Sequence, residues 1–232
     1  MINKYVEYYK KGFFLVSGNL IIYFTSLLFS VGPQIDKITK SVGISQNPFI
    51  SFISLIIGLL SLGSTFIAIK TLYDASEKKK ITWALIGQNY QSTFFKSVKI
   101  VLLIIFFAAI WFGIINIPQH PLLPSNLLFL FGLISPLFIP LLTYFGIYYS
   151  IKNVSFFDSF LGSALFYRKN VPFISFSIVY GLVNWVILNV RPMNVVGKPP
   201  FYYIYEIATI YVSLVISAAS LLYFKENDKE KK

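Results

Sequence analysis

Six long apolar stretches constrain this 232-residue chain more than any other feature. An α-helix rises about 1.5 Å per residue, so roughly 20 residues cross a hydrocarbon core of about 30 Å. The stretches are close to that length and lie at 12–31, 48–69, 98–117, 126–150, 171–190 and 203–224. The pattern predicts an all-α, polytopic membrane protein with six transmembrane helices, forming one integral membrane domain over 1–232.

The loops between these stretches alternate in positive charge. Of the 20 Lys and Arg residues, 16 lie in the N-terminus, in the loops 70–99 and 151–170 and in the charged tail 225–232, and 4 lie in the other loops. Cytoplasmic loops of membrane proteins carry an excess of Lys and Arg. The sequence therefore predicts a multi-pass protein of the cell membrane with both termini in the cytoplasm.

The two basic loops share a pattern at an offset of 73 residues. Each begins with a hydroxyl residue suited to N-capping and places bulky apolar residues at helical spacing before it ends in basic residues. A shorter version precedes the first stretch. The pattern predicts three hairpin units, each opened by a short interfacial amphipathic helix. The apolar positions are Trp83, Ile86, Tyr90 and Phe94 in one loop and Phe157, Phe160, Leu161, Ala164 and Leu165 in the other.

The segment 155–170, SFFDSFLGSALFYRKN, carries a resemblance to a known family. With the six-helix plan, it resembles the membrane domain found fused to glycerophosphodiester phosphodiesterases and its stand-alone relatives. That resemblance implies an architecture and brings no catalytic residues. The Ile-, Tyr-, Ser- and Lys-rich composition without cysteine resembles that of membrane proteins from thermoacidophilic archaea. In that setting, a component of a DNA-import or secretion apparatus is one expectation.

Polar residues inside a membrane are costly, so each is a candidate site. Glu206 lies near the start of the sixth stretch, where it could couple to protons or reach interfacial water. Asn19 and Asn184 need partners, which interhelical hydrogen bonds or a transport path would supply. Pro136 and Pro140 lie on one face of the fourth stretch and predict a kink, with freed carbonyls that could line a transport path.

Small residues cluster on the second and sixth stretches. The spacing Ser213-x-x-x-Ser217 permits close backbone approach between helices. Such faces pack either within the bundle or against a second copy, and both alternatives stay open. The other small residues are Gly58, Ser61, Gly63, Ser64, Ala218 and Ser220.

Groups for catalysis are scarce in the sequence. There is no cysteine, one histidine (His120) and no His/Glu pair at metal-binding spacing. We therefore expect no enzyme activity, no catalytic residues, no metal and no cofactor.

The sequence favours a non-enzymatic subunit or scaffold of a larger transport or translocation machinery. Its expected partners are the lipid bilayer and other membrane or cytoplasmic proteins, with an ATPase as one candidate. A self-contained transporter of small molecules or lipids is the alternative. Nucleic acid is a further candidate because the net charge is +11, but an anionic leaflet explains that charge without it. The predicted cytoplasmic basic surface consists of Lys78, Lys79, Lys80, Arg168 and Lys169.

Overall fold

The computed structural model describes residues 2–31, 49–50, 52–53, 57, 61, 63–96, 98–99, 143–189 and 199–228. Within these residues the regular structure is helical, which confirms the all-α prediction. The helices are α1 (Ile2–Ser17), α2 (Leu20–Val31), α3 (Ser64–Ser76), α4 (83–96), α5 (143–151), α6 (Phe156–Lys169), α7 (Val171–Asn189) and α8 (Pro199–Asp228). The last part of α5, Ile147–Ile151, is π-helical.

Among the described residues, one helix is long and apolar enough to cross a membrane, over Ile207–Asp228. The pair Ile2–Ser17 and Leu20–Ser30 meets the same criterion only when both helices are counted together, and they are bent by 81°. Most of the predicted stretches 98–117 and 126–150 lies outside the described residues.

The first apolar stretch, predicted as one helix over 12–31, is divided in the structure. Helix α1 runs from Ile2 to Ser17, and the chain turns at Gly18 and Asn19 before α2 begins. Packing explains the long α1, because Gly12 lies against α8 so closely that an added Cβ would be 3.0 Å from Val215 O. The basic N-terminal segment and the start of the apolar stretch therefore form a single helix.

The second apolar stretch, predicted over 48–69, also contains a break. Gly63 has φ 92° and lies directly before α3, which continues to Ser76. This left-handed conformation strains residues that carry a Cβ, so glycine suits the position. Helix α3 thus begins inside the predicted stretch and ends seven residues beyond it.

Helices α4 and α6 lie where the loop comparison predicted helices. Their starts at 83 and 156 are 73 residues apart. Thr82 Oγ1 accepts a hydrogen bond from Leu85 N at 3.2 Å, and Ser155 Oγ accepts one from Asp158 N at 3.2 Å. Each helix therefore has the hydroxyl N-cap that the sequence indicated.

A second similarity concerns the junctions that follow α1 and α6. Asn19 Nδ2 donates to Leu15 O at 2.9 Å, and Asn170 Nδ2 donates to Phe166 O at 2.8 Å. Both bonds reach back four residues to a carbonyl in the last turn of the preceding helix. Two of the three predicted units thus pass from their first helix to their second through the same asparagine contact.

Helix α3 packs against α5 and α8. The segments after α3 and after α5 meet the end of α8 through Lys225 and Lys152, and α4 contacts α3 and α5 at the same end of the bundle. Helix α1 packs along α8 and also contacts α3, and α6 packs on α5. Aromatic rings fill the junction of α1, α7 and α8, where Phe173 and Tyr223 stack with their centroids 3.8 Å apart. Tyr5 and Tyr8 meet the Phe173 ring edge-on. We call this end, with the segments 77–82 and 152–155 and the last turn of α8, the basic end.

Candidate functional site

Of the predicted intramembrane candidates, only Asn19 has a described side chain. Pro136 and Pro140 lie outside the described residues, and Asn184 and Glu206 lie on α7 and α8 in parts whose side chains are not described. Asn19 lies at the bend between α1 and α2, where its amide bonds to the preceding turn. Its described hydrogen bond is therefore local, whereas the sequence predicted a partner on another helix.

The predicted basic surface lies at the basic end. Lys78 and Lys80 are exposed, and Lys78 has φ 60° in the turn after α3. Arg168 and Lys169 are exposed in the last turn of α6, where positive charge complements the helix dipole. Lys79 differs from its neighbours because its ammonium forms an ion pair with Asp74 Oδ1 at 2.6 Å.

A buried polar cluster joins α3 to α4 around Asp74, whose side chain is 6% exposed. Asn89 Nδ2 donates to Asp74 Oδ2 at 2.9 Å and to Thr71 Oγ1 at 3.3 Å. Thr93 Oγ1 donates to Asn89 O at 2.7 Å. The hydrogen bond from Lys79 to Asp74, and then their charge attraction, raise the pKa of Lys79 above its ordinary value. The cluster fixes the orientation of α4 on α3.

The sequence reasoning did not single out Asp74 or Asn89. The available signal was the spacing of polar residues, since Thr71 and Asp74 are three apart on α3 and Asn89 and Thr93 are four apart on α4. Two such faces in helices joined by a short turn predict a polar contact. Their burial depends on how the helices pack, which the spacing does not give.

The last turn of α8 connects the two turns of the basic end. Lys225 Nζ donates to Ser76 Oγ at 2.9 Å and is ion-paired with Glu77. Asp228 Oδ2 forms an ion pair with Lys152 Nζ at 2.6 Å. One helix end therefore holds the segments after α3 and after α5 together.

Lys96, at the end of α4, makes a similar connection to α5. Its ammonium donates to Tyr149 O at 3.3 Å and to Asn153 Oδ1. Partial burial, with a smaller effect from nearby Lys70, lowers the pKa of Lys96. Each basic segment thus contributes to contacts between helices as well as to surface charge.

Four large apolar side chains of α6 point away from the bundle. Phe157 is 81% exposed, and Phe160, Leu161 and Leu165 are also exposed, whereas Ser159 and Ser163 are buried. The inner face of the helix therefore consists of small residues together with the buried ring of Phe166. Gly162 is the closest case, because a Cβ there would be 2.9 Å from the Tyr148 ring.

Helix α4 has the same arrangement in part. Trp83 is 62% and Phe95 75% exposed, whereas the polar Asn89 is buried. Of the residues predicted to form its outer apolar face, Ile86 is buried and the Tyr90 and Phe94 rings stack on each other. Its exposed aromatic residues are thus Trp83, at its start, and Phe95, near the end of its described part.

A cleft of about 260 Å³ lies between α2, α3 and α8. Small hydroxyl residues dominate its lining, and no charged residue is among those that line it. Ser64 faces Ser213 and Ser217 across it, so the small residues of the second and sixth stretches meet within one chain. The hydroxyl residues are Ser26, Ser30, Ser64, Thr65, Thr209, Ser213 and Ser217.

Within the described part of the chain, no group of three His, Cys, Asp or Glu side chains is placed to hold a metal ion. His120 lies outside those residues. No protein-family model, curated protein or solved structure matches this chain.

Proposed function

We propose that this chain is a six-span, multi-pass protein of the cell membrane whose basic end and both termini lie in the cytoplasm. It acts as a non-enzymatic subunit or scaffold of a larger transport or translocation machinery. The glycerophosphodiesterase-associated membrane domains that its sequence resembles fit this architecture. The observation that carries the proposal is the outward apolar face of α6, which ends in exposed basic residues.

That face has the form of an interfacial helix. Phe157, Phe160 and Leu161 form one side of α6 and are exposed. An apolar face enters the headgroup boundary, while Arg168 and Lys169 attract the anionic lipids of the cytoplasmic leaflet. In water, four large exposed apolar side chains on one helix would favour aggregation. The membrane surface supplies the environment that this face requires.

The basic end then forms a cytoplasmic surface of fixed shape. Its segments are held by Asp74, by Lys96 and by the Lys225 and Asp228 contacts. A rigid surface of this kind suits the docking of a cytoplasmic protein such as an ATPase, because little ordering is needed on binding.

Single-cysteine labelling tests the membrane placement, because the chain has no cysteine of its own. Lys80→Cys and Arg168→Cys should react with a membrane-impermeant reagent only in inside-out vesicles, and His120→Cys only in intact cells. A nitroxide attached at Phe157→Cys should report lipid depth, and one at Arg168→Cys should report water. Reaction of Lys80→Cys from outside the cell would refute the orientation.

Affinity purification in mild detergent tests the role as a subunit. We expect a second protein at constant stoichiometry, lost when Lys78 and Lys80 are both replaced by Glu and retained when the same charges are replaced by Arg. A pure monomer from native membranes would contradict the proposal.

The hydroxyl-lined cleft favours the second candidate, a self-contained transporter of small molecules.

A further inference from the structure

We propose that the cleft between α2, α3 and α8 is a binding site for a small uncharged solute that carries hydroxyl or amide groups. This inference rests on the proposed membrane embedding, because it concerns a polar volume at membrane depth. Ser26 on α2 and Ser213 on α8 line two walls of the cleft. Their hydroxyl groups would form hydrogen bonds with the solute.

The cleft is large enough to hold water, and hydroxyl groups line it beside a larger apolar surface. A polar cavity needs about 10–15 Å³ to hold one water molecule, whereas apolar cavities stay empty. The cleft has about 260 Å³. Hydroxyl groups that face such a volume donate and accept hydrogen bonds with water or with a solute that replaces it. A binding volume for a molecule of several heavy atoms is therefore present.

The lining selects against charge. An ion at membrane depth requires opposite charges or several converging carbonyl groups. No residue that lines the cleft is charged, and its polar side chains are all neutral hydroxyls. Ile69, Ile210 and Leu214 supply an apolar wall, which suits the carbon chain of a polyol. The chemistry therefore fits a solute such as glycerol better than an anion or a cation.

A second, smaller cavity lies beside the cleft, towards the basic end. It has about 10 Å³, is lined mainly by apolar side chains and shares Ser26, Ser64 and Ala68 with the cleft. Thr71 also lines it, and Thr71 Oγ1 accepts from Asn89, which in turn bonds to Asp74. The small cavity thus separates the hydroxyl groups of the cleft from the buried polar cluster around Asp74.

Cysteine accessibility in native membranes tests the site. Ser26→Cys and Ser213→Cys are near-isosteric and face the cleft, whereas Leu28→Cys is two residues from Ser26 at the same depth. Leu28 is 51% exposed on the outside of the described helices. Only a thiolate reacts with methanethiosulfonates, and a thiol in lipid stays protonated, so we expect both cleft variants to react at least about 100-fold faster than Leu28→Cys.

Protection then tests the ligand. Near-molar glycerol should slow modification of Ser213→Cys by at least about fivefold. So high a concentration is needed because a ligand with few heavy atoms binds weakly. Polyethylene glycol of equal viscosity, too large to enter, should not slow it. Absence of glycerol protection would overturn the assignment to an uncharged solute.

The outcomes separate this inference from the proposed function. Slow reaction at positions 26, 213 and 28 would overturn the hydrated cleft and leave the membrane placement intact, with lipid or a partner helix filling the space. Fast reaction at Leu28→Cys would place α2 in water and refute the membrane embedding itself. Faster reaction of a cationic or anionic reagent than of an uncharged one at Ser213→Cys would overturn the preference for neutral solutes.

Discussion

The contact between Gly12 and α8 gives the sharpest prediction about stability. In Gly12→Ala the new Cβ would lie 3.0 Å from both Ala219 N and Val215 O. Both distances are shorter than ordinary van der Waals contact, so α1 must move away from α8 by a few tenths of an ångström. Overpacking of this kind costs about 1–3 kcal/mol, and the better helix propensity of alanine offsets about 1 kcal/mol. The expected net loss is about 1 kcal/mol.

Gly87→Ala is the matched control. Gly87 lies inside α4, and a Cβ there would meet nothing within 4 Å. The same substitution should therefore stabilise the protein by about 0.5–1 kcal/mol. For a chain of this size, 1 kcal/mol corresponds to about 2–4 °C in Tm. Thermal unfolding in mild detergent should show a lower Tm for Gly12→Ala and a higher one for Gly87→Ala, and Gly12→Leu should lower it further.

The pair of variants also defines what would refute this reasoning. If Gly12→Ala raised Tm as much as Gly87→Ala does, helix propensity alone would decide the effect. The close approach of α1 to α8 would then be wrong, and with it the reason given for the long α1.

Three further predictions concern the basic end. Asn89→Ala leaves the Asp74 carboxylate without one of its two hydrogen-bond partners, so unfolding in detergent should require about 1–3 kcal/mol less free energy. Ser155→Ala removes the N-cap of α6 and should cost about 1 kcal/mol, whereas Ser155→Asp should retain most of the stability. The raised pKa of Lys79 means that its pairing stabilises the fold fully below the unfolded value of about 10.4 and is lost as pH rises through the folded pKa. The Tm advantage of the wild type over Lys79→Met should therefore persist from neutral pH to about pH 10 and then disappear, and an advantage that vanished already near pH 8 would contradict the pairing.

The sequence predicted helix α6 well because its signals are local. Ser155 caps its own helix through Asp158 N, and the basic residues mark the other end. The same signals placed α4 correctly at an offset of 73 residues. Such features depend on neighbours within one or two turns, so they can be inferred before any packing is known.

The breaks in the first two stretches were missed because hydropathy does not record them. Apolar residues lie on both sides of Gly18 and Asn19, so a window average passes over the point where α1 ends at Ser17 and α2 begins at Leu20. The Gly63 break is also invisible to an average over a window. Asp74 was overlooked for a related reason, because its burial depends on the polar side of α4 facing α3. These features are tertiary, and only the assembled helices reveal them.

The π-helical turn Ile147–Ile151 sets the direction in which the chain leaves α5. A π turn contains one residue more than an α turn, so it rotates the residues before it by about 100° relative to those after it. Tyr144, on the earlier side, is fully buried, whereas Lys152 and Asn153, directly after the turn, contact Asp228 and Lys96. Deleting a single residue here would restore regular α-helix and rotate Lys152 and Asn153 away from these partners, while Tyr144 would stay in the core. The local composition would hardly change, so these contacts of the basic end depend on a count of residues that no hydropathy profile records.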